Sequence, residues 1–278
     1  MAAAALAALA CACAAAAPCS AAGSEGAARD SVTPDSAAIA PGAYAADRSP
    51  GADAARDSDA SAEEEFPVAL GAYTTTLIGS REARTANVRL AAAALDGRVL
   101  APDEVLSFNA VVGPRTAARG YADAPVILHE TRQLQTGGGV CQVASTVFVA
   151  GLLSGLSCAE RWRHSSPVDY IAPGEDATIA WGAKDMRLRN DTGQRVRLRV
   201  WVLGATLSAR FEGEDAPRVT YDLDVREAGI PATDDVPDGR PGREIELYRV
   251  RHEPDGTDSR EFVHRDVYPP SRGPRSGS

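Results

Sequence analysis

Large apolar residues are distributed very unevenly along the chain. Up to about residue 65 they are almost absent: Ala, Ser, Gly, Pro and acidic residues follow an alanine-rich start. From Phe66 the pattern becomes structured. FPVALGAYTTTLIGS reads as a strand pair, and TANVRLAAAALDGRVLAPDEVLSF as a helix, a turn and a strand. In that helix Leu90, Ala91, Ala94 and Leu95 recur at helical spacing, with Asn87 near its start and Gly97 as its stop. Val140, Ala144, Val147, Phe148, Gly151, Leu152 and Leu156 keep i, i+3/i+4 spacing, which predicts a buried helix ending near Gly155.

Downstream the period drops to two. Val196, Leu198, Val200 and Val202 alternate with Arg195, Arg197, Arg199 and Trp201, as in a half-buried antiparallel strand, and the chain turns back at Leu203–Gly204–Ala205. ATIAW and MRLRN read as shorter strands. In REIELYRVRHEPDGTDSREFVHRDVYPP two alternating runs meet at PDGTD, a hairpin. The expected fold class is α+β: a buried central helix after a glycine-rich turn, packed on antiparallel strands, plus a small β-rich C-terminal module. The expected division is an export signal at residues 1–22, an acidic linker at 23–65, a main domain at 66–214, a β-rich extension at 215–270 and a tail at 271–278.

Composition sharpens this picture. A chain of 278 residues with 44% hydrophobic residues can bury one sizeable core. A formal net charge of −9 gives nucleic-acid binding no electrostatic support. MAAAALAALACACAAAAPCSAAG is a small-residue apolar stretch with A-x-A-like cleavage sites, the pattern of a secretory signal. Cys11 or Cys13, each preceded by alanine, also suits a bacterial lipid anchor. No later run approaches the roughly 18 apolar residues of a membrane span. The expected location is extracytoplasmic, secreted or lipid-anchored, with no transmembrane span in the mature chain.

The candidate chemistry centres on TGGGVCQVAST, where three glycines precede Cys141 at a helix start. A helix N-terminus favours thiolate over thiol, and the turn at Gly138 and Gly139 can present amides to an oxyanion, with Gln142 as a neighbouring polar group. A nucleophilic cysteine also needs a base and an orienting group. His164 is the candidate base and Asp185 the candidate orienting acid, in an order that looks like the transglutaminase-like thiol layout; His129 is a competing base. Two plainer roles stand beside this one. Cys141 is a small core residue, or it pairs with Cys158; a helix of about 15 residues rises roughly 22 Å, well past the roughly 7 Å Cα limit of a disulfide. No metal site and no cofactor are expected, since neither Cys-x-x-Cys nor His-x-x-x-His occurs.

FNAVVGPRTAARGYADAPVI, GGGVCQVASTVF and ERWRHSSPVDYIAPGEDATIAWGAKDMRLRND, in this order, resemble the VanW domain from about Ala69 to Phe211. That family is named for an accessory gene of bacterial vancomycin-resistance clusters. Motif residues that carry over include Asn109, Arg115, Tyr121, Cys141, Gln142, His164, Ser165, Tyr170, Asp176 and Asp185. The resemblance implies an exported cell-envelope protein, a peptidoglycan-associated accessory or binding protein linked to glycopeptide resistance. In it Asn109, Arg115, Tyr121, Ser165 and Tyr170 line a ligand cleft. The alternative it leaves open is a Cys141–His164–Asp185 enzyme acting on amide bonds of cell-wall peptides. The tail, with GRPGREIELYRV, resembles a divergent G5-type module, which implies a wall aminosugar as partner.

Overall fold

The chain's alternating and helical periods become the following elements. In chain order they are β1 (Val68–Thr76), α1 (Glu82–Leu95), β2 (Arg98–Leu100), β3 (Val105–Ser107), α2 (Phe108–Val112), β4 (Asp123–Leu128) and β5 (Thr131–Thr136). Then come α3 (Val140–Leu153), β6 (Ser157–Glu160), β7 (Arg187–Arg189), β8 (Val196–Leu203) and β9 (Thr206–Gly213). The C-terminal part holds β10 (Thr220–Ile230), β11 (Gly239–Arg240), β12 (Gly242–His252), β13 (Asp258–Tyr268) and β14 (Ser271–Arg272). The computed structural model describes residues 65–128, 131–231 and 239–272, all within one compact unit. The expected export signal, the linker before Glu65 and most of the tail lie outside the described residues.

The fold is α+β. An antiparallel sheet in the order β1-β9-β8-β2 forms the main layer. The expected alternation puts Val196, Leu198 and Val200 of β8, with Leu207, Ala209 and Phe211 of β9, in the core. Helix α1 packs on β8, while α3 packs on β1 and β9 and touches α1. Along α3 only Cys141 and Leu153 escape full burial. A helix apolar on every side is one enclosed by its neighbours, and the neighbours here include the C-terminal sheet.

That sheet has the order β10-β12-β13, all antiparallel, with the expected turn at Glu253–Thr257. It shares the main core instead of building its own. Leu247 of β12 is fully buried in the same apolar cluster, with Leu223, Val225 and Val263 packed against it. The guanidinium of Arg249 donates to the Leu156 carbonyl at 2.7 Å.

Two local readings are corrected. FPVALGAYTTTLIGS is one strand followed by a turn, not a strand pair, because Gly71 is a close-approach glycine. A Cβ there would lie 2.7 Å from the carbonyl carbon and oxygen of Leu153, where β1 crosses the end of α3. Asn87 is not at a helix start. Helix α1 begins at Glu82, and Asn87 lies buried in its middle, its amide spent on the backbone of other segments.

The Gly71 contact yields a stability prediction. Gly71→Ala should lower unfolding free energy by about 1–3 kcal/mol through overpacking, measurable as a lower denaturation midpoint with unchanged slope. An unchanged midpoint would show that β1 and α3 separate freely.

Candidate active site

The turn before α3 uses its glycines for different reasons. Gly137 and Gly139 have φ of 86° and 100°, in the left-handed region. Gly138 has no such φ, but a Cβ on it would lie 2.5 Å from the Ala124 carbonyl oxygen. Asn87 clamps the turn to the loop before β4. Its Nδ2 donates to the carbonyls of Ala122 at 2.9 Å and Gly138 at 3.0 Å, and its Oδ1 accepts from the Ala122 amide at 2.8 Å. Cys141 is therefore the second residue of α3, partly exposed on an otherwise enclosed helix. Among the described residues the amides of Gly139 and Cys141 reach no acceptor, which leaves two donors on the segment bearing the sulfur.

His164 reaches the sulfur, with Asp176 behind it, from a loop that folds back on itself. Residues 162–164 and 176–178 run side by side, held where the Thr178 amide donates to the Trp162 carbonyl at 2.7 Å. Both partners are buried: His164 is 9% exposed and Asp176 2%. The Asp176 carboxylate lies 2.6 Å from His164 Nδ1 and also accepts the His164 backbone amide at 2.8 Å. With Nδ1 engaged, Nε2 is the nitrogen left for the thiol. Cys141 Sγ also lies 3.7 Å from Thr178 Oγ1 and 3.8 Å from the Ile179 carbonyl oxygen, on the same returning strand of the loop.

This arrangement sets the charges. Burial opposes the Cys141 thiolate, but the hydrogen bond and charge of His164, with the Ile179 backbone and the Thr178 hydroxyl, outweigh it and lower the thiol pKa to about 7. Burial likewise opposes the imidazolium; hydrogen bonds to Asp176 and Cys141 reverse that and raise His164 to about 9. For Asp176, burial is overcome by His164 and Arg161, which hold its carboxyl below the usual range. Near pH 7 the Cys141 thiol is therefore about half ionised, beside a protonated His164 that is backed by a carboxylate.

The backing extends further than the sequence indicates. Arg161 donates from Nε to the Asp176 carbonyl at 2.6 Å and from Nη2 to its carboxylate at 2.8 Å. Its Nη1 meets both oxygens of Asp266 at 2.6 and 2.7 Å. Asp266 belongs to β13. Charges thus alternate from Cys141 through His164, Asp176 and Arg161 to Asp266, and all three side chains at the far end are at most 6% exposed. His264, also on β13, accepts no charge from this system: burial and the Arg161 charge lower its pKa to about 3, and its Nε2 meets the Gly174 carbonyl at 2.8 Å.

The sequence-predicted residues divide accordingly. Cys141 and His164 come together; Asp185 does not join them. Its carboxylate caps α2 instead, accepting from Ser107 Oγ at 2.5 Å, the Asn109 amide at 2.8 Å and the Met186 amide at 2.9 Å. Asp176 occupies the place expected of Asp185, because the loop after His164 returns within twelve residues. Gln142 faces the wrong way to orient a carbonyl. Its Nε2 donates to Thr75 Oγ1 and the Thr76 carbonyl, both at 2.9 Å, and its Oε1 accepts from Arg84 at 2.7 Å. Gly138 and Gly139 form the turn, as above.

Asn109 holds Arg115 at 2.7 Å and the Lys184 carbonyl at 2.7 Å, beside an open cleft of about 420 Å³ that Trp181, Lys184 and Asp185 also line. Tyr121 is buried. Tyr170 sets its ring edge-on to His164, centroids 6.4 Å apart, with its hydroxyl 3.4 Å from Ser145 Oγ. Ser165 is exposed on the loop. Cys141 and Cys158 are not disulfide-bonded. His129 lies outside the described residues. Among those residues no group of three His, Cys, Asp or Glu side chains is placed to hold a metal ion, and no helix is long and apolar enough to cross a membrane.

Alkylation of Cys141 by iodoacetamide should rise with pH through a midpoint near 7, the lowered thiol value. His164→Ala should move that midpoint up toward ordinary cysteine and slow labelling at pH 7 by about tenfold. Asp176→Asn should move it in the same direction. Asp185→Asn should leave the midpoint in place and instead lower stability by about 1–3 kcal/mol, the cost of a lost buried hydrogen-bond partner. A midpoint that follows Asp185 would overturn the assignment. Asp266→Asn tests the far end of the chain of charges. With Arg161 no longer balanced on its outer side, the His164 titration, followed by imidazole NMR, should shift measurably.

Residues 83–211 match the family model described as VanW like protein. The uncharacterized protein YoaR of Bacillus subtilis (strain 168) is 41% identical over 146 residues, covering 52% of this chain and 48% of that protein. The vancomycin B-type resistance protein VanW of Enterococcus faecalis (strain ATCC 700802 / V583) is 27% identical over 148 residues, covering 51% of this chain and 54% of that protein. The chain thus spans about half the length of the curated relatives it matches. No solved structure matches it. The family match stops short of β10–β14, so it contains Cys141, His164, Asp176 and Arg161 but not Asp266. The segment from residue 83 to residue 211, which carries the thiol and its three nearest charged partners, is the part of the chain that matches the VanW-like family.

Proposed function

We propose that this protein is a thiol enzyme of the cell envelope that breaks or exchanges amide bonds in cell-wall peptides. The observation that carries the reading is His164 held between Cys141 and Asp176, with Nδ1 committed to the carboxylate. Three residues in this relation, with Cys141 partly exposed at the start of an otherwise enclosed helix, are what nucleophilic catalysis by cysteine needs.

The chemistry follows from the geometry. The Cys141 thiolate attacks the amide carbonyl carbon, and the carbonyl electron pair moves to oxygen. The amides of Gly139 and Cys141 are the donors available to that oxyanion. The carbon–nitrogen bond then breaks, and the leaving amine takes the proton from His164 Nε2, leaving a thioester on Cys141. Water or a second amine attacks the thioester, giving its proton to the now neutral imidazole, and the thiolate departs. Asp176 keeps the proton on Nδ1 and favours the imidazolium throughout. Hydrolysis and transfer differ only in the second nucleophile.

The wall as the site of action is supported by the expected export signal and by the resistance protein whose name links a relative to a wall-directed antibiotic. A second reading, a peptidoglycan-associated accessory that binds without chemistry, rests on the same two supports and on the G5-like motif of the tail. It gives no role to the thiolate–imidazolium pair.

Incubation with soluble wall peptides, followed by mass spectrometry, separates the two. The enzyme reading expects altered peptides and a transient acyl adduct on Cys141, with turnover lost by about a thousandfold or more in Cys141→Ala. Saturable binding to peptidoglycan without covalent change, undiminished in Cys141→Ser, would establish the accessory reading and overturn this one.

A further inference from the structure

Two arginines flank the turn that bears Cys141. The stem of Arg84, from α1, packs on one glycine: a Cβ on Gly139 would lie 2.7 Å from Arg84 Cγ. The stem of Arg115, from the loop after α2, packs on another: a Cβ on Gly137 would lie 2.6 Å from Arg115 Cβ. The glycines therefore admit a positive charge on each side of the turn as well as shaping it.

Neither guanidinium is neutralised in the usual way. Arg84 donates to Ser80 Oγ at 2.8 Å and Gln142 Oε1 at 2.7 Å. Arg115 donates from Nη1 to Asn109 Oδ1 at 2.7 Å and the Gly113 carbonyl at 2.9 Å. All four acceptors are neutral. Among the described residues neither arginine forms an ion pair, whereas the buried Arg161, Arg197 and Arg249 each hold a carboxylate. Burial disfavours the charge on both arginines, and the Cys141 thiolate is close enough to support it on both. Asp169 and Asp185 contribute field to Arg84 and Arg115 respectively without pairing with them. Nε and Nη2 of Arg115 reach no acceptor among the described residues, and Asn109, which orients that guanidinium, lines the open cleft with Lys184. A planar fork with unused donors, bonded to a residue of the cleft lining, suits a carboxylate.

We propose that Arg84 and Arg115 select a peptide substrate that carries a carboxylate close to the carbonyl attacked by Cys141. This rests on the thiol-enzyme reading and narrows its substrate from any wall amide to an anionic one. The arginines hold the carboxylate while the neighbouring carbonyl lies over the sulfur, so charge recognition sets which bond is presented.

The test uses two alkylating probes of nearly equal size, iodoacetate and iodoacetamide, on the full chain. The ratio of their rates at Cys141, taken within each variant, cancels changes in thiolate fraction. It isolates the attraction for a carboxylate. The ratio should fall by about threefold in Arg115→Gln and again in Arg84→Gln, the effect of one unit charge at a separation on the order of 7 Å in a water-like dielectric. Arg115→Lys and Arg84→Lys, which keep the charge, should retain the wild-type ratio and control for disturbed folding. A ratio unmoved by either Gln substitution would overturn the proposal. Iodoacetamide labelling with an ordinary thiol midpoint in the unaltered protein would instead overturn the thiol-enzyme reading, whatever the arginines do.

Discussion

A thiol beside an imidazole is ordinary packing unless the imidazole holds a proton, and in a buried place burial removes it. Asp176 reverses that balance for His164 through the Nδ1 contact at 2.6 Å. Asp176 in turn is a buried carboxylate, kept charged against burial by His164 first and by Arg161 behind it. Each member of the series is costly to bury alone, and each is kept charged by the next. The ionisation of Cys141 thus depends on His164 beside it and, through His164, on groups that do not touch it.

Helix α3 adds a second constraint. Because its sides are enclosed by α1, the main sheet and β10, the partly exposed Cys141 is the one residue of its first turn that can meet a ligand. The glycine turn places the sulfur there, and Asn87 pins that turn from inside α1. A β-branched or charged residue at Gly137 or Gly139 would strain the backbone and displace an arginine stem at once. The same small residues that shape the turn also fix what stands beside it.

Much of this was legible in the sequence, because periodicity reports burial directly. The alternation of β8, the apolar spacing of α3 and the PDGTD hairpin became the expected elements, and GGG-x-Cys marked the turn that sets Cys141 at the start of α3. His164 followed from scarcity, with four histidines in the chain. Asp176 did not, although PGEDATIAW lies in plain view, since the fold-back that sets it against His164 is held by contacts between segments twelve or more residues apart, which no local pattern carries. Asp185 misled because an acid before a strand suits an orienting role as well as it suits a cap. Gly71 misled for a related reason: a glycine in an alternating run signals a turn or a close crossing, and only the packed helix decides which. Arg161 and Asp266 lie 105 residues apart, a pairing no local pattern carries.

That last pairing bears on how the chain can be divided. The boundary drawn by family resemblance falls after residue 211, and the boundary drawn by electrostatics falls after Asp266. A fragment cut at the first would keep every group near the sulfur while exposing one side of α3 and stripping Arg161 of its outer counterion. Grafting, truncation and domain shuffling of this protein therefore have a natural seam only beyond β13.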